Sequence, residues 1–309
     1  MRTPSRGRRE GQRQQPGRGF TLIELLVVIV IISALVALLL PAILSARSSV
    51  RNAQVQAEIS RLGSALADFK AANHNIYPPS SIRLFEAAAG WTTPAALPAD
   101  ESARLRSVAL IRQLWPQFNF SIDRDINNDT DTADTLDLTK GECLVFFLGG
   151  MPDTAANSFA PLGFSQNPAN PFLITGSNRE GPYFEFDVNR YSDTDGDGMP
   201  EFRDTLPDQT APYLYFSAYE GQGYLALRGA ALPQPAGAEP PTQLVDVYLQ
   251  GGTSPWNPRT FQIISPGGDA AYGSGGVFNP DTASADLVGA RDPERDNITN
   301  FHNGRLAPN

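Results

Sequence analysis

The chain has 309 residues, a formal charge of −9 and one cysteine, Cys143. This acidity argues against nucleic-acid binding, which needs a basic face, and a single cysteine excludes an internal disulfide. The charge is unevenly divided, because residues 1–19 carry +5 from six arginines and one glutamate, which leaves −14 for the remainder. The length allows one large domain or two small ones.

The first 40 residues divide into a basic and an apolar segment. Residues 1–19 are rich in Arg, Gln and Gly without apolar periodicity, which predicts a leader without a packed core. Residues 20–40 are apolar except for Thr21, Glu24 and Ser33, and a helix of this length spans about 30 Å, the thickness of a bilayer core. A charge near the centre of a membrane helix costs about 2.5–3.5 kcal/mol, so Glu24 needs a partner.

The basic leader ending in Gly19, followed by Phe-Thr-Leu-Ile-Glu and a long apolar run, resembles the N-terminal signal of type IV pilins and type II secretion pseudopilins. In that family a prepilin peptidase cleaves after the glycine and methylates the new N-terminal phenylalanine. The resemblance implies cleavage between Gly19 and Phe20 and retention of Glu24. It also implies a pilin-like α+β fold, with a long N-terminal helix that spans the membrane and packs on an antiparallel β-sheet domain.

Helical periodicity continues beyond the apolar segment. Pro41 predicts a kink, because it leaves the Ala37 carbonyl without its helical donor. Apolar residues then recur at spacings of three and four, which predicts one buried stripe and a helix ending near residues 73–75. The stripe comprises Val55, Ile59, Leu62, Leu66 and Phe69. Charged and polar residues are expected largely on the other faces: Arg51, Gln54, Glu58, Arg61 and Asp68.

The predicted organisation has four parts: a cleaved leader (1–19), a membrane half (20–40) and an amphipathic half (41–75) of one helix, and an exported α+β domain (76–309). Short helices are expected at residues 82–89 and 102–115. Alternating or short apolar runs bounded by turn residues predict strands. These strands are expected at 143–148, 183–188, 213–219, 223–228, 244–249 and 260–265.

One acidic segment has the spacing of a calcium-binding loop. Carboxylates occupy positions one, three, five, nine and twelve, with Gly198 at position six: Asp193, Asp195, Asp197, Glu201 and Asp204. Calcium takes about six to eight oxygen ligands, and a glycine permits the sharp turn that lets one loop supply them. The preceding residues predict strand, so we expect a calcium loop in a β context; the alternative is a solvated acidic turn.

Two further segments are candidates for calcium. Asn128 takes the place of the glycine in a second loop of the same spacing, which contains Asp123, Asp125, Asn127, Asp131 and Asp134. The segment FQIISPGGDAAYGSGG, followed later by RDNITNF, is similar to the C-terminal loop of the major pseudopilin, where calcium replaces the pilin disulfide. That resemblance implies Asp269, Asp296 and Asn297 as ligands, although residues 278–294 form an insertion. The alternative is a Gly-rich surface loop.

The resemblance predicts a structural pseudopilin subunit and no enzyme. It would assemble through its N-terminal helix into a periplasmic filament of a type II secretion system, with Glu24 neutralising the Phe20 amine of a neighbour. Expected partners are other pseudopilin subunits, the prepilin peptidase and the inner-membrane assembly platform, with no nucleic acid. The Arg-rich leader predicts a cytoplasmic N-terminus, one pass through the inner membrane and a periplasmic domain.

Two other functions remain open from the sequence. One is a type IV pilin or minor pilin for adhesion or DNA uptake, which shares the N-terminus. The other is a membrane-tethered enzyme or carbohydrate-binding module exported by a pilin-like signal. No Gly-x-Ser-x-Gly elbow, phosphate loop or paired-cysteine motif favours an enzyme.

Overall fold

A computed structural model describes residues 21–153, 160–193, 195–224 and 247–307. Gly19 and Phe20, between which cleavage is predicted, lie outside these residues. The chain forms two compact units, Met1–Ser49 and Val50–Asn309. The described residues contain helices α1 (Leu22–Ala72), α2 (Ala88–Thr92), α3 (Pro98–Leu114), α4 (Lys140–Gly149) and α5 (Ala283–Asp286).

The part of α1 in the first unit is apolar and exposed. From Leu22 to Leu44 its large apolar side chains are exposed, and an 18-residue window has a mean hydropathy of 3.2. Length and composition therefore suit a membrane span, as the sequence predicts. The α-helix continues through Pro41 to Ala72.

The part of α1 in the second unit carries the predicted stripe, which is confirmed. Val55, Ile59, Leu62, Leu66 and Phe69 are all at most 1 % exposed. The helix ends at Ala72 and is followed by two residues with left-handed backbone, His74 and Asn75.

The sequence predicts that Glu58 lies on a face of α1 away from the buried stripe, and this prediction is wrong. Its side chain is buried, and its carboxylate accepts hydrogen bonds from Arg190 Nη1 at 2.7 Å and from the Tyr213 hydroxyl at 2.7 Å. Glu58 stands three residues after Val55 and four before Leu62, so helical geometry places it on the buried stripe. Its partners lie more than 130 residues away in sequence.

Fourteen strands, most of them two residues long, occur in the described residues. They are β1 (Ser81–Phe85), β2 (Thr135–Thr139), β3 (Pro152–Asp153), β4 (Ala160–Pro161), β5 (Phe164–Ser165), β6 (Arg179–Glu180), β7 (Tyr191–Ser192), β8 (Glu201–Phe202), β9 (Leu214–Ser217), β10 (Tyr248–Gly251), β11 (Ser254–Pro255), β12 (Phe261–Ser265), β13 (Gly276–Val277) and β14 (Ile298–Thr299). The central sheet is antiparallel, in the order β14-β12-β9.

Three predicted elements are wrong. Residues 82–89 form most of β1 and the start of α2, because β1 pairs with β2 in a register that sets Leu84 opposite Leu136. Residues 143–148 lie in α4, which a capping box between Thr139 and Glu142 begins. Residues 183–188 contain no strand, and the N–H groups of Tyr183 and Phe184 donate to the Leu148 carbonyl instead.

Other predicted elements are confirmed. Residues 102–115 overlap α3, 213–219 contain β9, and 260–265 contain β12. Strand β10 begins at Tyr248, near the end of predicted strand 244–249. Most of the predicted strand at 223–228 lies outside the described residues.

The central sheet separates two hydrophobic clusters. Tyr215 and Ile263 pack in a cluster with the buried stripe of α1, whereas Leu214 and Ile264 pack in a second cluster with Tyr248. Because successive side chains of a strand point to opposite faces, β9 and β12 are buried on both. The architecture is therefore α+β, as predicted, and consistent with a pilin-like fold.

Candidate metal centres

The predicted calcium loop at residues 193–204 lies in a β-hairpin. Strands β7 and β8 pair antiparallel, with Tyr191 opposite Phe202, and the acidic residues follow β7. The Asp193 carboxylate accepts hydrogen bonds from the N–H groups of Gly196 at 2.7 Å and Gly198 at 3.2 Å. Both glycines have positive φ, which suits a tight turn. The β context of the loop is confirmed.

Three carboxylates meet at this hairpin: Glu142, Asp195 and Asp197. Each has an oxygen within 4.8 Å of an oxygen of the others. Asp197 Oδ1 also accepts from the Met199 N–H at 2.8 Å, and Glu142 Oε2 accepts from the Thr139 N–H at 2.6 Å. The group, which we call the hairpin cluster, could hold a metal ion through carboxylate oxygens.

Burial and mutual repulsion disfavour ionisation of the hairpin cluster. Burial, aided by the charges of Asp197 and Asp195, raises the pKa of Glu142 to about 9. Burial also raises the pKa of Asp197 to about 6, again with help from Asp195. A divalent cation would reverse this balance, because it favours the ionised form of each carboxylate.

Three predicted ligands of this loop lie outside the hairpin cluster: Asp193, Glu201 and Asp204. Glu201 is part of β8 and is half-buried. Asp204 is buried, and its carboxylate accepts hydrogen bonds from Ser265 Oγ at 2.6 Å and Gln209 Nε2 at 3.0 Å. Asp204 therefore ties the chain after β8 to the end of β12.

The second predicted loop also contributes to an acidic group, with a different composition. Its members, which we call the loop cluster, are Glu86, Asp129, Asp131 and Asp134. Glu86 comes from the end of β1, is fully buried, and accepts from the N–H groups of Ile126 at 2.6 Å and Asp134 at 3.2 Å.

Three predicted ligands of the second loop form hydrogen bonds within or next to the loop and do not belong to the loop cluster. Asp123 accepts a hydrogen bond from the Ala88 N–H at 2.8 Å, and Asp125 accepts from the Asp129 N–H at 3.1 Å. Asn127 donates to Asp134 at 3.1 Å. Asn128 has a φ of 60°, the left-handed conformation expected at the glycine position.

The third predicted site brings two aspartates near each other. Burial raises the pKa of Asp269, and the charge of Asp296 raises it further, although the Ala271 N–H opposes both. Asp296 Oδ2 accepts from the Gly268 N–H at 2.6 Å. Neither aspartate belongs to a group of three carboxylates suited to one ion among the described residues.

Asn297, the third predicted ligand of that site, is turned toward the second hydrophobic cluster. Its Nδ2 donates to the Tyr248 hydroxyl at 3.1 Å and to the Tyr272 carbonyl at 3.0 Å. Its Oδ1 is buried and has no hydrogen-bond partner among the described residues.

Glu142, Glu86 and Asp129 are the members of these clusters that the sequence does not predict as ligands. The spacing of Thr139 and Glu142 is that of a capping box and could have indicated a helix start at this point. Glu86 has no comparable signal, because its place follows from the pairing of β1 with β2.

The N-terminus matches a known family model. The model for the prokaryotic N-terminal methylation motif covers residues 17–40. No curated protein and no solved structure matches the chain. The motif implies processing by a prepilin peptidase and assembly with other subunits that carry it, and with the apolar start of α1 it indicates a membrane-anchored protein.

Proposed function

We propose that this type IV pilin-like protein is a pseudopilin, a structural subunit of the periplasmic filament of a type II secretion system. The observation that carries the proposal is the methylation motif at residues 17–40, which places Glu24 near the start of an exposed apolar helix. Its role would be assembly and not catalysis. The domain would lie in the periplasm, on the far side of the membrane from the Arg-rich leader.

The geometry around Glu24 supports a role in subunit register. Glu24 Oε2 accepts from Thr21 N at 2.9 Å and Thr21 Oγ1 at 2.8 Å, and the Glu24 N–H donates back to Thr21 Oγ1 at 3.2 Å. These bonds hold the carboxylate at the helix start, close in sequence to Phe20. In the filament, Glu24 would pair with the charged Phe20 amine of a neighbour, because an unpaired charge in an apolar bundle is strongly unfavourable.

Calcium would have a structural role in the exported domain. The lone cysteine cannot close a loop, and the hairpin and loop clusters supply carboxylate oxygens, the ligands that calcium prefers. Both features favour a secretion pseudopilin over a disulfide-closed pilin. The assembly platform of the inner membrane and other pseudopilins would be its partners.

N-terminal sequencing of the membrane-bound protein tests the processing step. We expect the mature chain to begin Phe-Thr-Leu, with one added methyl group by mass spectrometry. A mature chain that begins at Met1 or beyond Pro41 would contradict the proposal.

Deletion of the gene in its own bacterium tests whether the protein serves a type II secretion system or a type IV pilus. We expect loss of exoprotein secretion, restored by the parent chain, with surface adhesion and DNA uptake unchanged. The opposite pattern would assign the chain to a type IV pilus.

A further inference from the structure

The C-terminal loop that begins at Gly273 is closed by one buried carboxylate. Glu294 is completely buried, and its Oε1 accepts hydrogen bonds from the backbone N–H groups of Ser274 at 3.0 Å and Gly275 at 3.1 Å. A Cβ atom on Gly273 would lie 2.3 Å from Glu294 Cγ, so this close approach requires glycine. The two ends of a loop about 20 residues long are thereby joined.

Arg291 completes this closure. Its Nε donates to Glu294 Oε1 at 3.0 Å and its Nη2 to Oε2 at 2.7 Å, which is a bidentate ion pair. Its Nη1 donates to the Val277 carbonyl at 2.7 Å. The ionised carboxylate is therefore neutralised within the protein and bonded on both oxygens.

The predicted calcium ligands nearby do not fit a calcium site. Calcium takes about six to eight oxygens, whereas Asp269 and Asp296 are two carboxylates without a third beside them among residues 247–307. Asp296 already accepts from the Gly268 N–H, and the Asn297 amide donates into the aromatic core.

We propose that Arg291 and Glu294 form a permanent clasp that closes the C-terminal loop of this chain, in the place where the resemblance implies calcium. The clasp goes beyond the proposed function, since it would hold the loop in any filament. Calcium would then act on the hairpin and loop clusters and leave residues 273–277 unaffected.

Hydrogen exchange of the full-length chain in detergent tests the clasp. We expect residues 273–277 to exchange equally slowly in millimolar calcium and in chelator. Glu294→Gln should accelerate their exchange roughly 10- to 100-fold in both conditions, because hydrogen bonds to a charged group contribute about 1.5–3 kcal/mol. Asp292→Asn is the matched control, since Asp292 is an exposed carboxylate in the same segment, and it should change nothing.

Two results would overturn the clasp. One is hydrogen exchange of residues 273–277 in the parent chain that is tenfold faster in chelator than in calcium. This result would indicate that a cation closes the loop and that the unpartnered Oδ1 of Asn297 is one of its ligands. The other is equal exchange in Glu294→Gln and Asp292→Asn. If Glu294→Gln does not fold, the clasp is tested by comparing hydrogen exchange of the parent chain with and without calcium. Secretion and assembly are not measured, so failure here leaves the proposed function standing.

Discussion

Glu142 is the residue on which the electrostatics of the hairpin cluster depends. It is buried at the start of α4, its carboxylate accepts from Thr139, and Asp195 and Asp197 face it. Its folded pKa, about 9, lies above its ordinary value of 4.5. The folded protein therefore holds this proton more tightly than the unfolded chain does. The resulting stability is present at low pH and is lost as the pH rises from 4.5 toward 9.

Glu142→Gln should stabilise the domain when no cation is bound. The amide keeps the shape and takes up no proton on folding, whereas at pH 8 the parent must protonate Glu142 to fold. Each pH unit between the unfolded and the folded pKa costs about 1.4 kcal/mol, so in chelator at pH 8 we expect a gain of at least about 1.4 kcal/mol. The fall in Tm between pH 5 and pH 9 should become shallower. In calcium the advantage should shrink, because a charged ligand is lost. Thermal melts across pH measure all three effects.

Glu185→Gln is the control for this prediction, since Glu185 is exposed and outside the cluster. It should leave the melts unchanged. A Glu142→Gln protein that is less stable than the parent in chelator, or that keeps the full calcium shift, would contradict the argument.

Variants of Glu24 and Thr21 distinguish a role in helix capping from a role in the register between filament subunits. Glu24→Leu should leave membrane insertion intact or improved, since a charge is removed from the apolar segment, yet filament assembly should fail. Thr21→Val removes the hydroxyl that bonds Glu24 and retains the carboxylate, so some assembly should survive. Membrane fractionation and filament cross-linking report the two steps. If Glu24→Leu assembled as well as the parent chain, the proposed role of Glu24 in subunit register would be wrong.

At the scale of elements, α1 is fixed to the domain by a buried ion pair as well as by its apolar stripe. Arg190, just before β7, bonds both oxygens of Glu58, and its guanidinium also donates to the Arg203 carbonyl. The pair therefore links α1 directly to the hairpin that carries Asp195 and Asp197.

Glu58→Gln should destabilise residues 50–309 by about 3 kcal/mol, because removal of one partner leaves the Arg190 charge buried without compensation. Denaturant titration of this compact unit measures the loss. Asp68→Asn, an exposed change on the same helix, should stay within about 0.5 kcal/mol. Equal stabilities for the two variants would show that the ion pair does not hold α1.

At the scale of the whole molecule, the two acidic clusters concentrate negative charge in one region. A Cβ on Gly198 would lie 3.4 Å from Asn127 Cβ, so the hairpin loop and the second loop touch. Like charges at short range repel, and this repulsion opposes folding until a cation binds.

Residues 50–309 should melt at a higher temperature in millimolar calcium than in chelator, and magnesium should not substitute. At about a hundred times the dissociation constant, one bound ion contributes roughly 2.7 kcal/mol. Asp195→Ala combined with Asp197→Ala should remove part of the gain and leave that of the loop cluster. Calorimetry with each ion measures it. Superimposable curves in calcium and chelator would reject both clusters.

Features with a local cause are determined by the sequence alone. The stripe from Val55 to Phe69 follows from helical periodicity, and the turn at residues 195–198 follows from the spacing of Asp and Gly. The prepilin-type motif at residues 17–40 is likewise a local pattern. Each of these features depends on residues that are close together in the sequence, so the local sequence pattern contains the physical cause of the structure.

Residues that are far apart in the sequence meet through contacts that are visible only in the folded chain. Six apolar residues at 143–148 suit a buried strand or a buried helix equally, and contacts of α4 with β8 and β9 accompany the helix. The pairing of Glu58 with Arg190, and the meeting of Glu142 with Asp195 and Asp197, follow only from the folded chain. Charge pairing is set by residues far apart in the chain, and local periodicity carries no information about which charges will meet.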